Sequence, residues 1–293
     1  MRILPTLPAM LLLAMLPVAG APVPVESIEW LAADTHKAEP GKPNDGMADK
    51  LVSYMQSHWP QVRHQMVTAN AKRSWQVIAA GQHACTTASA RTPEREKQAY
   101  FVNTLLAPPV QLIVRRDKLA ALRRNAAGEV DLAKVLAQAQ LRGALVEGRS
   151  YGDAVDRVLA QRPGGKPTVA LYPAADFGSQ LLAMVGAGRA DYTIDYAADL
   201  AVDVDHVRLK ALLVSVPIQG ASEPLPAGIA CPRNEWGLAA ALGIDKVLGT
   251  PAGAAMLRNA FQQWGNPDGD IDPKFNAQVE RFYQDRAKPS LIR

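Results

Sequence analysis

Cysteine is scarce in this chain: Cys85 and Cys231 are the only two among 293 residues. Two cysteines cannot build a structural zinc site. The five histidines, at positions 36, 58, 64, 83 and 206, show no pairing at metal-ligand spacing. In an oxidising compartment the cysteines allow one disulfide, and two buried free thiols are the alternative. The sequence therefore predicts no metal site and leaves the state of the two cysteines open.

Several other features are missing. The net charge is a mild +4, and Lys and Arg are scattered without a basic run interleaved with aromatics, which argues against nucleic-acid binding. Neither a Gly-x-Ser-x-Gly elbow nor a glycine-rich phosphate loop occurs. Beyond the N-terminus no apolar stretch is long enough to span a bilayer. We therefore predict no nucleic-acid partner, no cofactor and no catalytic residues.

The N-terminus has the three parts of a secretory signal. Arg2 is followed by the apolar run ILPTLPAMLLLAMLPVAG, and small residues at Ala19-Gly20-Ala21 form a cleavage zone. Three prolines interrupt the run, which is too short for a membrane span. We expect residues 1–21 to be a signal peptide and the mature chain to be a soluble periplasmic protein.

Strand-like and helix-like segments alternate along the mature chain, which predicts an α/β fold. The order strand, helix, strand, helix, strand ends at QHACTTA and implies a parallel sheet flanked by helices. A second block of the same kind lies between two β-rich runs, and three helices follow it. We predict two lobes joined by two hinge crossings, with residues 22–112 and 214–293 in the first and residues 113–213 inserted as the second. Open α/β sheets bind ligands at the carboxyl ends of their strands, which here face the groove between the lobes.

Five short motifs occur in a set order. Gly46-x-x-Asp49 opens the first helix, Thr92-x-x-Arg95 follows the third strand, and then come PVQLIVRRD, GRADYTIDY and ACPRNEWG. In this order they resemble the type II periplasmic solute-binding proteins, close to the family 3 group that includes amino-acid binders. HAC, IACPR, TPEREK and RSYG resemble a divergent exported branch of unknown ligand. The resemblance implies two lobes, each a mixed, mostly parallel sheet flanked by helices, that close on a small ligand by hinge motion.

Arg95 is the main candidate ligand-binding residue in the first lobe. A guanidinium binds a carboxylate through two parallel hydrogen bonds, and in the amino-acid binders the arginine of Thr-x-x-Arg holds the ligand carboxylate. Thr87 and Ser89 offer hydroxyl donors nearby, and Trp30 stands where relatives stack an aromatic on the ligand. The alternatives are a solvated charge, ordinary loop hydrogen bonds and a core position. For Trp75, on the second helix, the core is the preferred interpretation.

The second lobe contributes Arg149, Ser150 and Tyr151, which lie between a strand and a helix. Free backbone N–H groups at the positive end of a helix dipole can bind an anion. A plain N-cap, with Asp153 reaching back to Ser150, is an alternative that is compatible with this one. Asp195 ends a strand where the resemblance implies a counter-charge for a ligand amine, and a structural cap is its alternative.

The spacing around Asp195 departs from the family pattern. It follows Asp191 by four residues rather than five, and Tyr196 takes the expected place, which favours an acidic ligand in general. We predict a binding protein for a small anionic or zwitterionic molecule, an amino acid or organic acid, that serves transport or sensing beside an inner-membrane transporter or sensor. The alternatives are a weakly binding sensor or interaction module, and a cyclohexadienyl-dehydratase-like enzyme with Glu147 or Asp195 as its acid.

Overall fold

The computed structural model describes residues 23–33, 46–161, 168–174, 176, 178–202, 206–265, 272–290 and 292. The predicted signal peptide lies outside these residues. Within them the strands are β1 (Ser27–Ala32), β2 (Arg63–Thr68), β3 (Ala84–Ala90), β4 (Ala99–Ala107), β5 (Gln111–Arg115), β6 (Gly143–Val146), β7 (Val169–Tyr172), β8 (Tyr192–Asp195), β9 (Leu213–Pro217) and β10 (Leu225–Pro232). The helices are α1 (Met47–His58), α2 (Ala71–Ala79), α3 (Pro93–Glu96), α4 (Leu132–Leu136), α5 (Asp153–Ala160), α6 (Ser179–Gly186), α7 (Asp199–Val202), α8 (His206–Leu212), α9 (Glu235–Leu248), α10 (Pro251–Gly265) and α11 (Pro273–Arg286), with a 3-10 helix at Arg116–Ala121.

The strands form two separate five-stranded sheets. The first has the order β2-β1-β3-β10-β4 and the second the order β7-β6-β8-β5-β9. Three adjacent strands in each are parallel, and the fourth, β10 or β5, is antiparallel to both its neighbours. The body around the first sheet is called lobe 1 here, and the body around the second is called lobe 2. The predicted two-lobe α/β fold with mixed sheets is thus confirmed.

The chain passes between the sheets at residues 108–110 and 218–224. The second sheet spans residues 111–217, so it begins two residues before and ends four residues after the predicted insertion, 113–213. The second β-rich run, predicted over residues 210–219, is shorter in the structure: residues 206–212 form α8, and β9 spans Leu213–Pro217. One strand, β4, was not predicted at all. Six of its nine residues are buried, so both of its faces are covered and the alternation that marks a half-exposed strand is lost.

Lobe 1 has two apolar clusters, a smaller one that includes Ile78 and Phe101 and a large one around β1, α1 and the C-terminal helices. The side chains of Trp30 and Met55 are fully buried there, and α9, α10 and α11 pack over them with Phe261. Cys85 on β3 and Cys231 on β10 are neighbours across the sheet, with Cα atoms 4.4 Å apart, and form a disulfide. Of the two states that the sequence left open, the structure thus has the bonded one.

Lobe 2 buries apolar side chains on both faces of its sheet, in two clusters. Leu112, Leu145 and Tyr192 belong to one, and Ile113 and Leu182 belong to the other. Its parallel strands β6, β7 and β8 have four residues each. No helix in the described part of the chain is both long and apolar enough to cross a membrane.

Candidate ligand-binding cleft

Arg95 lies between the lobes because of the turn that begins at Thr92. The hydroxyl of Thr92 accepts the backbone N–H of Arg95 at 3.3 Å, and Pro93 takes the first position of α3. Both are favoured at a helix start, where backbone donors lack partners and φ is already restricted. The turn follows β3 directly. It therefore holds Arg95 beside the carboxyl end of that strand.

The Arg95 guanidinium contacts both lobes. In lobe 1 one of its nitrogens donates to the Ser89 hydroxyl at 3.0 Å and to the Ala90 carbonyl at 3.3 Å. The other donates to the Gly148 carbonyl of lobe 2 at 3.0 Å. The group also lies over the ring of Trp75, 4.4 Å from its centroid, within the range of a cation–π contact. All four partners are electrically neutral.

Arg95 is a half-buried cation, and no carboxylate of the described residues pairs with it. Desolvation lowers the pKa of Arg95 to about 10, and the charge of Arg149 acts in the same direction, whereas the charge of Asp156 opposes it. The guanidinium is still protonated at neutral pH, so the desolvation of its charge is only partly compensated.

Arg149 faces lobe 1 from lobe 2 but is paired inside its own lobe. Its guanidinium donates to Asp195 at 2.6 Å, and the two side chains are only 8% and 3% exposed. The rings of Tyr151 and Tyr196 lie 5.1 and 5.4 Å from its central carbon. Asp195 also accepts the backbone N–H of Tyr196 at 3.0 Å. The charge of Asp195 is therefore already neutralised within lobe 2.

The polar groups of the segment before α5 also find hydrogen-bond partners within lobe 2. The helix begins at Asp153, after Gly152 at φ +94°. Asp156, not Asp153, reaches back to the Ser150 hydroxyl and to the Tyr151 N–H, which it accepts at 2.8 Å. The predicted capping box with Asp153 is therefore wrong. The place predicted for an anion is taken by a carboxylate of the chain itself.

Two aromatic residues differ from their predicted places. Trp30 is fully buried in the lobe 1 core, where its ring N–H donates to His64 at 3.0 Å. It therefore forms no wall of the cleft, and Trp75 is the tryptophan that contacts Arg95. Tyr151 is 3% exposed, and its hydroxyl accepts the Val146 N–H at 3.0 Å, so it faces the lobe 2 core. Thr87 is buried too, donating to a carbonyl of β1.

The lobes touch directly at several other points. Gly148, at φ +78°, packs against α2, where an added Cβ would lie 2.7 Å from backbone atoms of Lys72. The Lys72 ammonium forms an ion pair with Glu147 at 2.8 Å. On the other side of the cleft, Trp264 of α10 donates to Asp199 at 3.1 Å and meets the ring of Tyr196 edge to face. The described structure is thus a closed conformation.

Asp199 is a site residue that the sequence analysis did not include. Burial and the neighbouring Asp195 raise the pKa of Asp199 well above its usual range, while Arg149 and Trp264 oppose the rise. The two carboxyl groups interact, and the raised pKa favours the protonated form of Asp199. The sequence does carry a signal for this residue, because Asp199 follows the strand-end residue Asp195 by four positions. Within the described residues no cluster of His, Cys, Asp or Glu could hold a metal ion.

Solved structures with a similar fold are known, although sequence comparisons find no relative. No family model matches the sequence, and no curated protein matches it. Among solved structures, a histidine kinase sensor domain with similarity to periplasmic binding proteins has a TM-score of 0.60 and 17% identity, covering 82% of this chain and 95% of its own. A putative L-cystine ABC transporter protein from Listeria monocytogenes has a TM-score of 0.60 and 16% identity, covering 83% and 96%.

A third similar structure is an ancestral amino-acid-binding protein described as a precursor of cyclohexadienyl dehydratase. It has a TM-score of 0.57 and 15% identity, covering 82% of this chain and 95% of its own. At such identities the likeness shows the fold alone. The chain has the two-lobe fold of periplasmic binding proteins. Its structural neighbours include proteins of transport systems and a sensor domain.

Proposed function

We propose that this chain is an exported binding protein that captures a small carboxylate-bearing molecule between its lobes, with Arg95 as the anion anchor. The observation that carries the proposal is the half-buried guanidinium of Arg95, whose partners among the described residues are all neutral. A ligand carboxylate would supply the missing counter-charge through two parallel hydrogen bonds.

The lobe 2 contact of Arg95 suggests how closure responds to the ligand. Gly148 accepts one of the guanidinium N–H groups across the cleft, and this bond breaks when the lobes separate. A ligand can shift the balance between open and closed forms only by its difference in affinity for them. The ligand must therefore contact lobe 2 as well as Arg95. The Arg149 side of the cleft is the surface that it would meet.

The cellular role is proposed from the N-terminus and from the fold together. The predicted signal peptide supports a periplasmic location. Transport receptors and a sensor domain share the fold, so an inner-membrane transporter or sensor is the proposed partner. The lobes contact each other through the chain's own residues. A membrane partner could recognise the surface of this closed form, which favours a role in sensing.

A thermal-shift screen tests the anion anchor, using amino acids, dicarboxylates and cyclohexadienyl acids. A ligand at one hundred times its dissociation constant stabilises the native state by about 2.7 kcal/mol, or about 5–10 °C for a chain of this size. Arg95→Ala should abolish the shift. Arg91→Ala is the matched control, because Arg91 lies in the same segment but pairs with Glu96 at 2.6 Å within lobe 1. A shift that survives unchanged in Arg95→Ala would refute the anchor.

A second candidate is dehydratase-like catalysis, and the acid pair Asp195–Asp199 supports it. A carboxyl group kept protonated near arginines can protonate a leaving hydroxyl. The structural likeness to an ancestral protein on that line of descent is consistent with this. Product formation from cyclohexadienyl acids, lost in Asp199→Asn, would favour this candidate. Binding of the same acids without turnover would favour the first.

A further inference from the structure

Arg149 lies in surroundings that would suit a bound cation. The carboxylate of Asp195 contacts its guanidinium at 2.6 Å, and the rings of Tyr151 and Tyr196 lie within 5.4 Å of its central carbon. A carboxylate together with aromatic faces in a desolvated place is the combination that recognises ammonium and guanidinium groups. Here the cation belongs to the chain itself.

The neighbouring elements fit closely around this cation. Gly178, before α6, has φ +125°, and a Cβ there would lie 3.0 Å from the Asp195 carboxylate and 3.3 Å from the Arg149 guanidinium. Asp199 on α7 interacts with the carboxyl group of Asp195. From lobe 1, Arg95 is close enough for the two positive charges to repel each other. A second cation at this place would meet two guanidinium groups and an acid that is already paired.

We propose that Arg149 is a built-in cation that fills an amine-binding place beside Asp195, and that it makes the cleft select carboxylic acids without an ammonium group. An arginine side chain does not lose its proton in proteins, so it neutralises Asp195 at every physiological pH. The ligand class rests on the proposed function, whereas the filling of the place by Arg149 does not.

Chemical rescue tests the built-in cation. Arg149→Ala removes the group that ethylguanidinium resembles, so millimolar ethylguanidinium should raise the melting temperature of this variant. Ethylurea, a neutral molecule of nearly the same shape, should leave it unchanged, as should sodium chloride at the same ionic strength. The double variant Arg149→Ala/Asp195→Asn should not respond to ethylguanidinium, because the carboxylate is gone. Absence of rescue in Arg149→Ala, or equal rescue by ethylurea, overturns the assignment.

Two further variants keep the test decisive if Arg149→Ala folds poorly. Arg149→Lys retains a cation for Asp195, whereas Arg149→Met has similar bulk and no charge. The lysine variant should keep the higher melting temperature and should reject amines as the natural chain does. Equal melting temperatures, together with equal amine binding, would show that Arg149 acts by packing alone.

Matched ligand pairs test selection, for example succinate against aspartate. In the natural chain the amino acid should bind roughly a hundredfold more weakly, because like charges brought together in an interface cost several kcal/mol. In Arg149→Ala the preference should reverse. Equal binding of both ligands by the natural chain overturns the selection. If neither binds but ethylguanidinium still rescues Arg149→Ala, the proposed function fails while the built-in cation stands.

Discussion

The two lobes share a strand plan but are stabilised differently. Lobe 1 has long strands, one large and one small apolar cluster, three C-terminal helices and the disulfide between β3 and β10. Lobe 2 has four-residue parallel strands and two smaller clusters. Lobe 1 is therefore the more extensively packed of the two. Most of the charged groups at the cleft, apart from Arg95, belong to lobe 2.

Among the described residues, each lobe also contains a buried ion pair, and the two pairs lie in different surroundings. In lobe 1, Arg286 pairs with Asp245 at 2.8 Å, and both side chains are 3% exposed. Asp245 also accepts two hydrogen bonds from Ser290, so this pair fixes the end of the chain to α9. In lobe 2, Arg149 and Asp195 lie at the cleft. The same kind of ion pair thus lies in the core of one lobe and at the cleft in the other.

Loss of the disulfide should give the largest effect and should fall on lobe 1. The bond closes a loop of 146 residues, and the loop-entropy relation gives about 5 kcal/mol for such a length. We expect Cys85→Ser/Cys231→Ser to lower the free energy of unfolding of lobe 1 by up to that amount. Hydrogen exchange resolved by lobe is the measurement. Equal loss of protection in lobe 2 would contradict the assignment of this effect to lobe 1.

Breaking the buried pair of lobe 1 should come next. Arg286→Met leaves Asp245 buried without its cation, which typically costs about 3–5 kcal/mol. Chemical denaturation measures the loss. Ligand binding should be unchanged once the protein is folded, because the pair joins α11 to α9, whereas Arg95 contacts Ser89, Ala90 and Gly148. Arg258→Met is the control, since its pair with Glu280 is partly exposed and should contribute only about 0–1 kcal/mol.

The sequence predicts local features well and contacts between distant residues poorly. Strand and helix periodicity was enough for the two-lobe plan, and the turn predicted at Thr92 is present and positions Arg95 between the lobes. The pairing of Arg149 with Asp195 joins residues 46 apart. It arises because β6 and β8 are neighbours in the sheet, an order that periodicity does not fix. Trp30 was expected at the cleft because a strand-end position alone does not tell which face a side chain takes.

Gly148→Ala should open the cleft. An alanine Cβ would lie 2.7 Å from the backbone of Lys72, and φ is +78°, so the lobes must separate or the loop must move at a cost of about 1–3 kcal/mol. Small-angle scattering should report a larger radius of gyration. Gly128→Ala is the matched control, since Gly128 has φ +81° and no atom within 4 Å of the added carbon. An equal change in both variants would mean that backbone strain, not lobe contact, is responsible.

The effect of Asp199→Asn should depend on pH, and it should be smallest near pH 4. The pKa of Asp199 in the native state is raised by burial and by Asp195, whereas in the unfolded chain it is about 3.9. The native state therefore binds more protons above that value, and the stability contributed by Asp199 is lost as the pH rises toward its native pKa.

An asparagine at this position cannot ionise, can still donate to Asp195 and can still accept from Trp264. The free energy of unfolding of the variant should therefore fall less as the pH rises. The difference in stability between the variant and the natural chain should favour the variant more at pH 8 than at pH 4. Each pH unit between the two pKa values contributes about 1.4 kcal/mol. Denaturation at a series of pH values measures the difference. Parallel curves for the two proteins would show that Asp199 is ionised in the native state, and the charge balance proposed for the lobe 2 side of the cleft would then have to change.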